Sequence, residues 1–238
     1  MTVWALGVFV SATTVRDILL RPRPKRSAPE AACAKPEPKP REIVATYPSH
    51  AWSVDRTRVL RWGIWPTWVL VAIDHFSRAV MAVIPLEGPN AGWVIDALEQ
   101  AFLRHGQPKH LITDQEGVFI CDLFRNLLSQ WNVRQRFGAV GKHGSIAVTE
   151  RLIRTLKREW LAQVPLIRGL DHLSELLADF AVYYNEYRGH RRLHGARPSM
   201  VYAEQPWRKP DRSAKTMPGS IQLRYFPDAR ITVYELAA

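Results

Sequence analysis

The first regular pattern along the chain is an alternation of apolar and polar positions. In "HAWSVDRTRV", and again in "TWVLVAIDHF" and "RAVMAVIPL", β-branched and aromatic residues dominate runs separated by short breaks, which predicts three strands in an antiparallel meander. The period then changes. "AGWVIDALEQAFLRHG" repeats apolar residues at helical spacing and closes on Gly106 ahead of Pro108, a helix stop. A short strand "KHLIT", a helix "CDLFRNLLSQWN", a strand "VRQRF", a glycine-containing loop "GAVGKHGS", a helix "VTERLIRTLKREW" and a longer helix "DHLSELLADFAVYYNEYRG" follow. The order βββαβαβα predicts an α/β domain: a mixed β-sheet of three antiparallel strands, then alternating α and β, flanked by helices.

Residues 45–205 carry this core, and the pattern differs on either side. In residues 1–20, Gly7 suits a turn, Ser11 a helix cap, and Val15, Ile18 and Leu19 one helix face. They are expected to be a partial helix-turn-helix, with a lone amphipathic helix as the alternative. Residues 21–44, containing "RPRPKRSAPEAACAKPEPK", are too rich in proline and charge to form a core and read as a linker. In the tail, residues 206–238, "SIQLRYF" and "RITVYEL" are spaced to pair as a hairpin across "PDA".

Charge adds a partner to this picture. A formal net charge of +11 points to an acidic partner, and nucleic acid is the usual one. Cys33 and Cys121 are too few for a disulfide framework and lack the spacing of a zinc site, which suits a reducing compartment. The opening "MTVWALGVFVSATT" lacks the basic start of a signal peptide, and no later apolar run is long enough to cross a bilayer. A cytoplasmic protein with no membrane partner is expected.

In a chain that binds a polyanion, acids at strand and helix ends call for an explanation. Asp55 lies inside the first strand, Asp114 ends "HLITD", and Glu150 opens the helix after the loop, with 35 residues between the second and third. Phosphodiester cleavage or transfer needs such a set. Hard divalent cations prefer carboxylate oxygens, and two of them about 3.5–4 Å apart activate the attacking oxygen and stabilise the leaving one. Arg154 and Lys157 lie four and seven residues beyond Glu150, on its helix face, where they can hold phosphate backbone; Leu152, Ile153 and Leu156 form the apolar side. For Glu150 alone the plainer account is a first-turn acid favoured by the helix dipole, with Thr149 as N-cap. Asp55 could be neutralised by Arg56 or Arg58, and Asp74 is better suited to a turn, bonding backbone or pairing with Arg78. Glu116 is a weaker candidate ligand, and His143 is an ordinary loop histidine. Trp52, Trp62, Trp65 and Trp68, interleaved with arginines, could stack on nucleic acid but more often fill a core or a subunit interface.

Taken together, "VDRT", "IDHFSR", "LITDQEGVF", "VTERLIRTLKREW" and "YNEYRGHRRLHGARPSMVY" resemble the integrase core domain of bacterial insertion-sequence transposases, relatives of retroviral integrases. The resemblance runs from about residue 45 to residue 202. It implies an RNase H-like fold and a DDE-type transposase, transferring a DNA 3′-hydroxyl onto a phosphodiester with two Mg²⁺ or Mn²⁺ ions. On this reading Asp55, Asp114 and Glu150 are both the catalytic and the metal-binding residues. Arg154 and Lys157 fall on DNA-contacting positions, and Arg151 and Lys142 join them as candidate DNA contacts. The implied partners are transposon ends and target DNA, bound by a homo-oligomer in the bacterial nucleoid. Asn185, Arg188 and His190 match a C-terminal "YNxxRPH" pattern. The chain departs from the family where Glu116 precedes Gly117, where Gly189 replaces proline, and where Ser145 replaces a frequent asparagine. The alternatives are a truncated, non-catalytic DNA-binding or inhibitory subunit, and a nuclease of the same fold that cuts without joining.

Overall fold

The computed structural model describes residues 43–138, 146–206 and 221–236. The segments read as a helix-turn-helix remnant and most of the linker lie outside these residues, as do Cys33, Lys142, His143 and Ser145.

Three antiparallel strands open the core: β1 (Ala51–Arg61), β2 (Trp65–Asp74) and β3 (Val80–Leu86). Then come α1 (Ala91–His105), β4 (His110–Thr113), the single turn α2 (Gly117–Ile120), α3 (Asp122–Gln130) and β5 (Arg134–Phe137). The sheet order is β3-β2-β1-β4-β5, with β4 parallel to β1 and β5 parallel to β4. This is the expected mixed sheet, with the first strand at its centre. Helices α4 (Ile146–Thr155) and α5 (Leu170–Val182) complete the layers, followed by α6 (Pro198–Tyr202) and the hairpin β6 (Ile221–Phe226) and β7 (Ile231–Leu236).

Alternation along the strands divides the core in two. On one face Trp52, Val54, Leu70, Ala72 and Leu111 pack against Val94, Leu98 and Phe102 of α1 and Phe124, Leu127 and Leu128 of α3. On the other, Val59, Val69, Val71 and Ile73 meet Leu152 of α4 and Leu173, Leu176, Leu177 and Phe180 of α5. Because helices cover both faces, β2 is an unbroken apolar run from Val69 to Ile73, every residue of which is buried.

Neither long helix on the second face ends as an α-helix. Helix α4 passes into a π-helical turn at Leu156–Trp160, and α5 into another at Tyr183–Tyr187. The two turns pack together: Trp160 stacks on Tyr183 with centroids 5.1 Å apart and donates from Nε1 to the Leu176 carbonyl at 2.9 Å. Phe226 of the C-terminal hairpin closes edge-on against Trp160 at 5.3 Å, and Arg224 donates to the Tyr187 hydroxyl at 3.0 Å. The hairpin is thus seated on the core through rings that the helical period alone would not have aligned.

The second π turn also explains Asn185. Its side chain accepts from the Val80 N–H at 2.8 Å and donates to the Val80 carbonyl at 3.0 Å, completing both backbone groups of β3, the edge strand, where the sheet has no further neighbour. Three residues on, Arg188 forms an ion pair with Glu159 across the two π turns. Gly189 lies against the returning chain: a Cβ there would sit 2.8 Å from the Gly195 carbonyl oxygen, so this sharper turn does not admit a side chain. Replacing Asn185 with alanine would leave the Val80 groups unpaired. We expect a loss of about 1–3 kcal/mol in chemical denaturation, with the midpoint falling and the slope unchanged.

Candidate active site

The β1–β4 register carries the first site relation. Ala51 pairs with His110, Trp52 with Leu111 and Ser53 with Ile112, an offset of 59 residues. Asp55 and Asp114 are separated by the same 59, so continuing the register sets them side by side where the two parallel strands part. Asp55 shares its side of β1 with Ser53 and Thr57, and its Oδ1 accepts from the Arg56 N–H at 2.7 Å. Asp114, one residue past β4, accepts at Oδ1 from the Glu116 N–H at 3.1 Å, which bends the chain into α2.

Helix α4 reaches the same strand through Thr149. Sequence reading made Thr149 the N-cap, but the described helix already includes Ile146, so Thr149 sits within it, buried. Its hydroxyl meets that of Ser53 at 2.5 Å, tying the front of α4 over β1 two residues from Asp55. Glu150 follows this anchor directly. Glu150, Arg151, Arg154 and Lys157 are all exposed, while Leu152 and Leu156 face the sheet and Ile153 is only half-buried, as the helix-face argument expects.

The acids act on one another electrostatically. Burial pushes the Asp55 carboxyl from the usual 3.8 up to about 6; the Arg56 N–H opposes the rise, and repulsion from Asp114, Glu116 and Glu150 adds to it. Asp114 is raised too, chiefly by burial, against the stabilising Glu116 N–H and with the Glu116 charge adding. Among the described residues no three Asp, Glu, His or Cys side chains form a ready ligand set. The three predicted acids come from a strand, a strand end and a helix, and their charges are felt at Asp55 without their oxygens being drawn to one point.

The alternative pairing of Asp55 with Arg56 or Arg58 is not what the chain adopts. Consecutive residues of a strand point to opposite faces, so Arg56 turns away from Asp55. Its guanidinium meets Glu116 at 2.9 Å and 3.0 Å, donates to the Pro89 carbonyl at 2.8 Å, and lies over Trp68 at 4.4 Å. The inserted Glu116 therefore clamps the Asp114 turn to β1. Sequence reading missed this contact, because the partners are 60 residues apart and nothing local marks it.

Two further expectations resolve. Asp74 is a turn residue: its fully buried carboxylate accepts from the Ser49 N–H at 3.0 Å and from the Ser77 N–H and hydroxyl, each at 2.7 Å. The suggested ion pair with Arg78 does not form, since those donors already occupy the carboxylate. Among the tryptophans, Trp52 is core and Trp68 lies beneath Arg56 and Arg58, whereas Trp62 and Trp65 are exposed at the β1–β2 tip, against the expectation that such rings are packed.

Residues 45–143 match a family model described as "Integrase core domain", and residues 132–198 match a second model with the same description. Transposase InsF for insertion sequence IS3A of Escherichia coli (strain K12) is 27% identical over 165 residues, covering 66% of this chain and 55% of its own. The chain thus spans about half the length of the curated relatives it matches. Among solved structures, the catalytic core domain of BIV integrase is 25% identical with a TM-score of 0.54, over 66% of this chain and 95% of that one. The HTLV-2 integrase catalytic core domain in complex with magnesium, in its dimeric form, is 20% identical at the same TM-score, over 66% and 97%. These cores share the RNase H-like mixed sheet described above.

Proposed function

The chain belongs to the integrase core domain family, and from that premise we propose that it cuts and joins DNA as a metal-dependent transposase of an insertion sequence, with Asp55, Asp114 and Glu150 as its metal-binding acids. The observation that carries the reading is the Asp55 carboxyl. A buried acid raised to about 6 by its surroundings and by three other carboxylates is a position that gains from a cation. The donors fit the group: all are carboxylate oxygens, the hard ligands that magnesium and manganese take.

The ions, when bound, supply Lewis acidity at the attacking and leaving oxygens of the displacement. The chain's own residues do the rest. The Arg56–Glu116 pair fixes the Asp114 turn against β1, and the Ser53–Thr149 contact holds α4 so that Glu150 stays over the strand. Arg154 and Lys157 lie further along the exposed side and hold the phosphodiester backbone, fixing the strand in line for attack. In joining, the 3′-hydroxyl oxygen bonds to phosphorus as it loses its proton. The bond from phosphorus to the leaving 3′-oxygen breaks, and that oxygen takes up a proton.

The test uses labelled duplexes carrying the element's ends, with Mg²⁺ or with a chelator. Nicked and joined products are expected only with the metal. Binding without metal-dependent products would leave the non-catalytic subunit as the better account, and cutting without joining would leave the nuclease.

A further inference from the structure

The turn between β2 and β3 holds an arginine that forms no ion pair among the described residues. Arg78 adopts a left-handed backbone, φ 64°, and its N–H donates to the Asp74 carbonyl at 3.0 Å. The Asp74 carboxylate is occupied by Ser49 and Ser77. Two residues on, Val80 is held from both sides of its peptide by Asn185, which brings the neighbouring Tyr184 behind the turn. The His190 imidazole lies against the Tyr184 ring with centroids 4.7 Å apart, and the Arg188 guanidinium lies 5.9 Å from that ring.

Two polar atoms in this corner are buried with no hydrogen-bond partner: Arg78 Nη1 and His190 Nε2. The cations that act on Arg78 are Arg192 and Arg151, both exposed; Tyr184 and Asp74 act in the opposite sense. Glu159, the other acid near Tyr184, is engaged by Arg188. Among the described residues, Arg78, Arg151 and Arg192 form no ion pair with a carboxylate. Guanidiniums with no carboxylate paired to them repel one another, and a buried donor left without a partner is costly. Guanidinium forks match the oxygens of a phosphate and are less costly to dehydrate than an ammonium.

We propose that this corner is a phosphate site, with Arg151 and Arg192 at its mouth and Arg78 in its floor, that takes one backbone phosphate of the DNA strand. The site rests on the DNA-acting reading above and extends it. Arg151 directly follows Glu150, so a strand lying across the front of α4 meets the acids on one side and this corner on the other.

The test is fluorescence anisotropy of a labelled duplex in chelator-containing buffer over a range of KCl, which separates binding from chemistry. Wild type is compared with Arg192→Gln, Arg78→Asn and the double variant. Asparagine tolerates a left-handed backbone, and Arg192 is an exposed residue of a short 3₁₀ turn, so its substitution spares the fold. Each single change is expected to weaken binding several-fold and to make the slope of log Kd against log[KCl] shallower by about 0.9, the loss of one phosphate contact. The double variant should lose little more, because both arginines serve the same phosphate. An unchanged slope in Arg192→Gln, or fully additive losses, would overturn the site while metal-dependent cutting stood on its own result. A wild-type protein without DNA affinity would overturn the reading beneath it and the site together.

Discussion

Replacing Asp114 with asparagine is expected to abolish nicking and joining while leaving DNA binding within a few-fold of wild type. The substitution keeps the shape of the side chain and an oxygen for the Glu116 N–H at 3.1 Å, so the turn into α2 is preserved. What it removes is a negative charge beside Asp55. A divalent ion bound there would stabilise the transferring phosphoryl group by several kcal/mol, and at about 1.4 kcal/mol per decade its loss would be worth roughly 10³-fold or more. The check is single-turnover product formation at saturating DNA, alongside anisotropy for binding. Near-normal joining by Asp114→Asn would remove this residue from the site.

The second large effect is on stability, and it runs the other way. In metal-free protein the Asp55 carboxyl titrates near 6 against 3.8 unfolded, so the native state holds its proton more tightly. The stabilisation is complete below about 4 and is lost as the pH rises through 6. A shift of about two units corresponds to about 3 kcal/mol, which partial solvent screening reduces to roughly 2 kcal/mol. Asp55→Asn, which still accepts from the Arg56 N–H, should therefore be more stable than wild type by about that amount at pH 8 and gain nothing at pH 4. Magnesium should raise the wild-type melting temperature at pH 8 and raise that of Asp55→Asn far less. Equal magnesium shifts in the two proteins would show that Asp55 does not bind the ion.

Much of the sheet was legible in the chain because periodicity reports which faces are covered. The meander, the α1 stop at Gly106 and the C-terminal hairpin all follow from alternation, helical spacing and turn residues. Asp55 and Asp114 were legible as acids at a strand and a strand end, and their spacing coincides with the strand register. What stayed hidden depends on contacts between distant segments. The Arg56–Glu116 clamp, the Asn185 bridge to Val80 across 105 residues, and the Thr149 anchor to Ser53 leave no local trace. The charge-rich surroundings of Arg78 were likewise invisible, because the aspartate four residues earlier, Asp74, looked like its natural partner.

The paired π turns have an evolutionary implication. A π turn holds one more residue than the α turn it replaces, so each of these helices carries a one-residue surplus that leaves the preceding segment in phase. The side of α4 that carries Glu150 and the ring cluster gripping the hairpin can therefore diverge separately: substitutions that tune the fit of Trp160, Tyr183 and Phe226 need not rotate Glu150 relative to β1. A lineage could remodel its tail, and whatever that tail meets, without reworking the chemistry upstream.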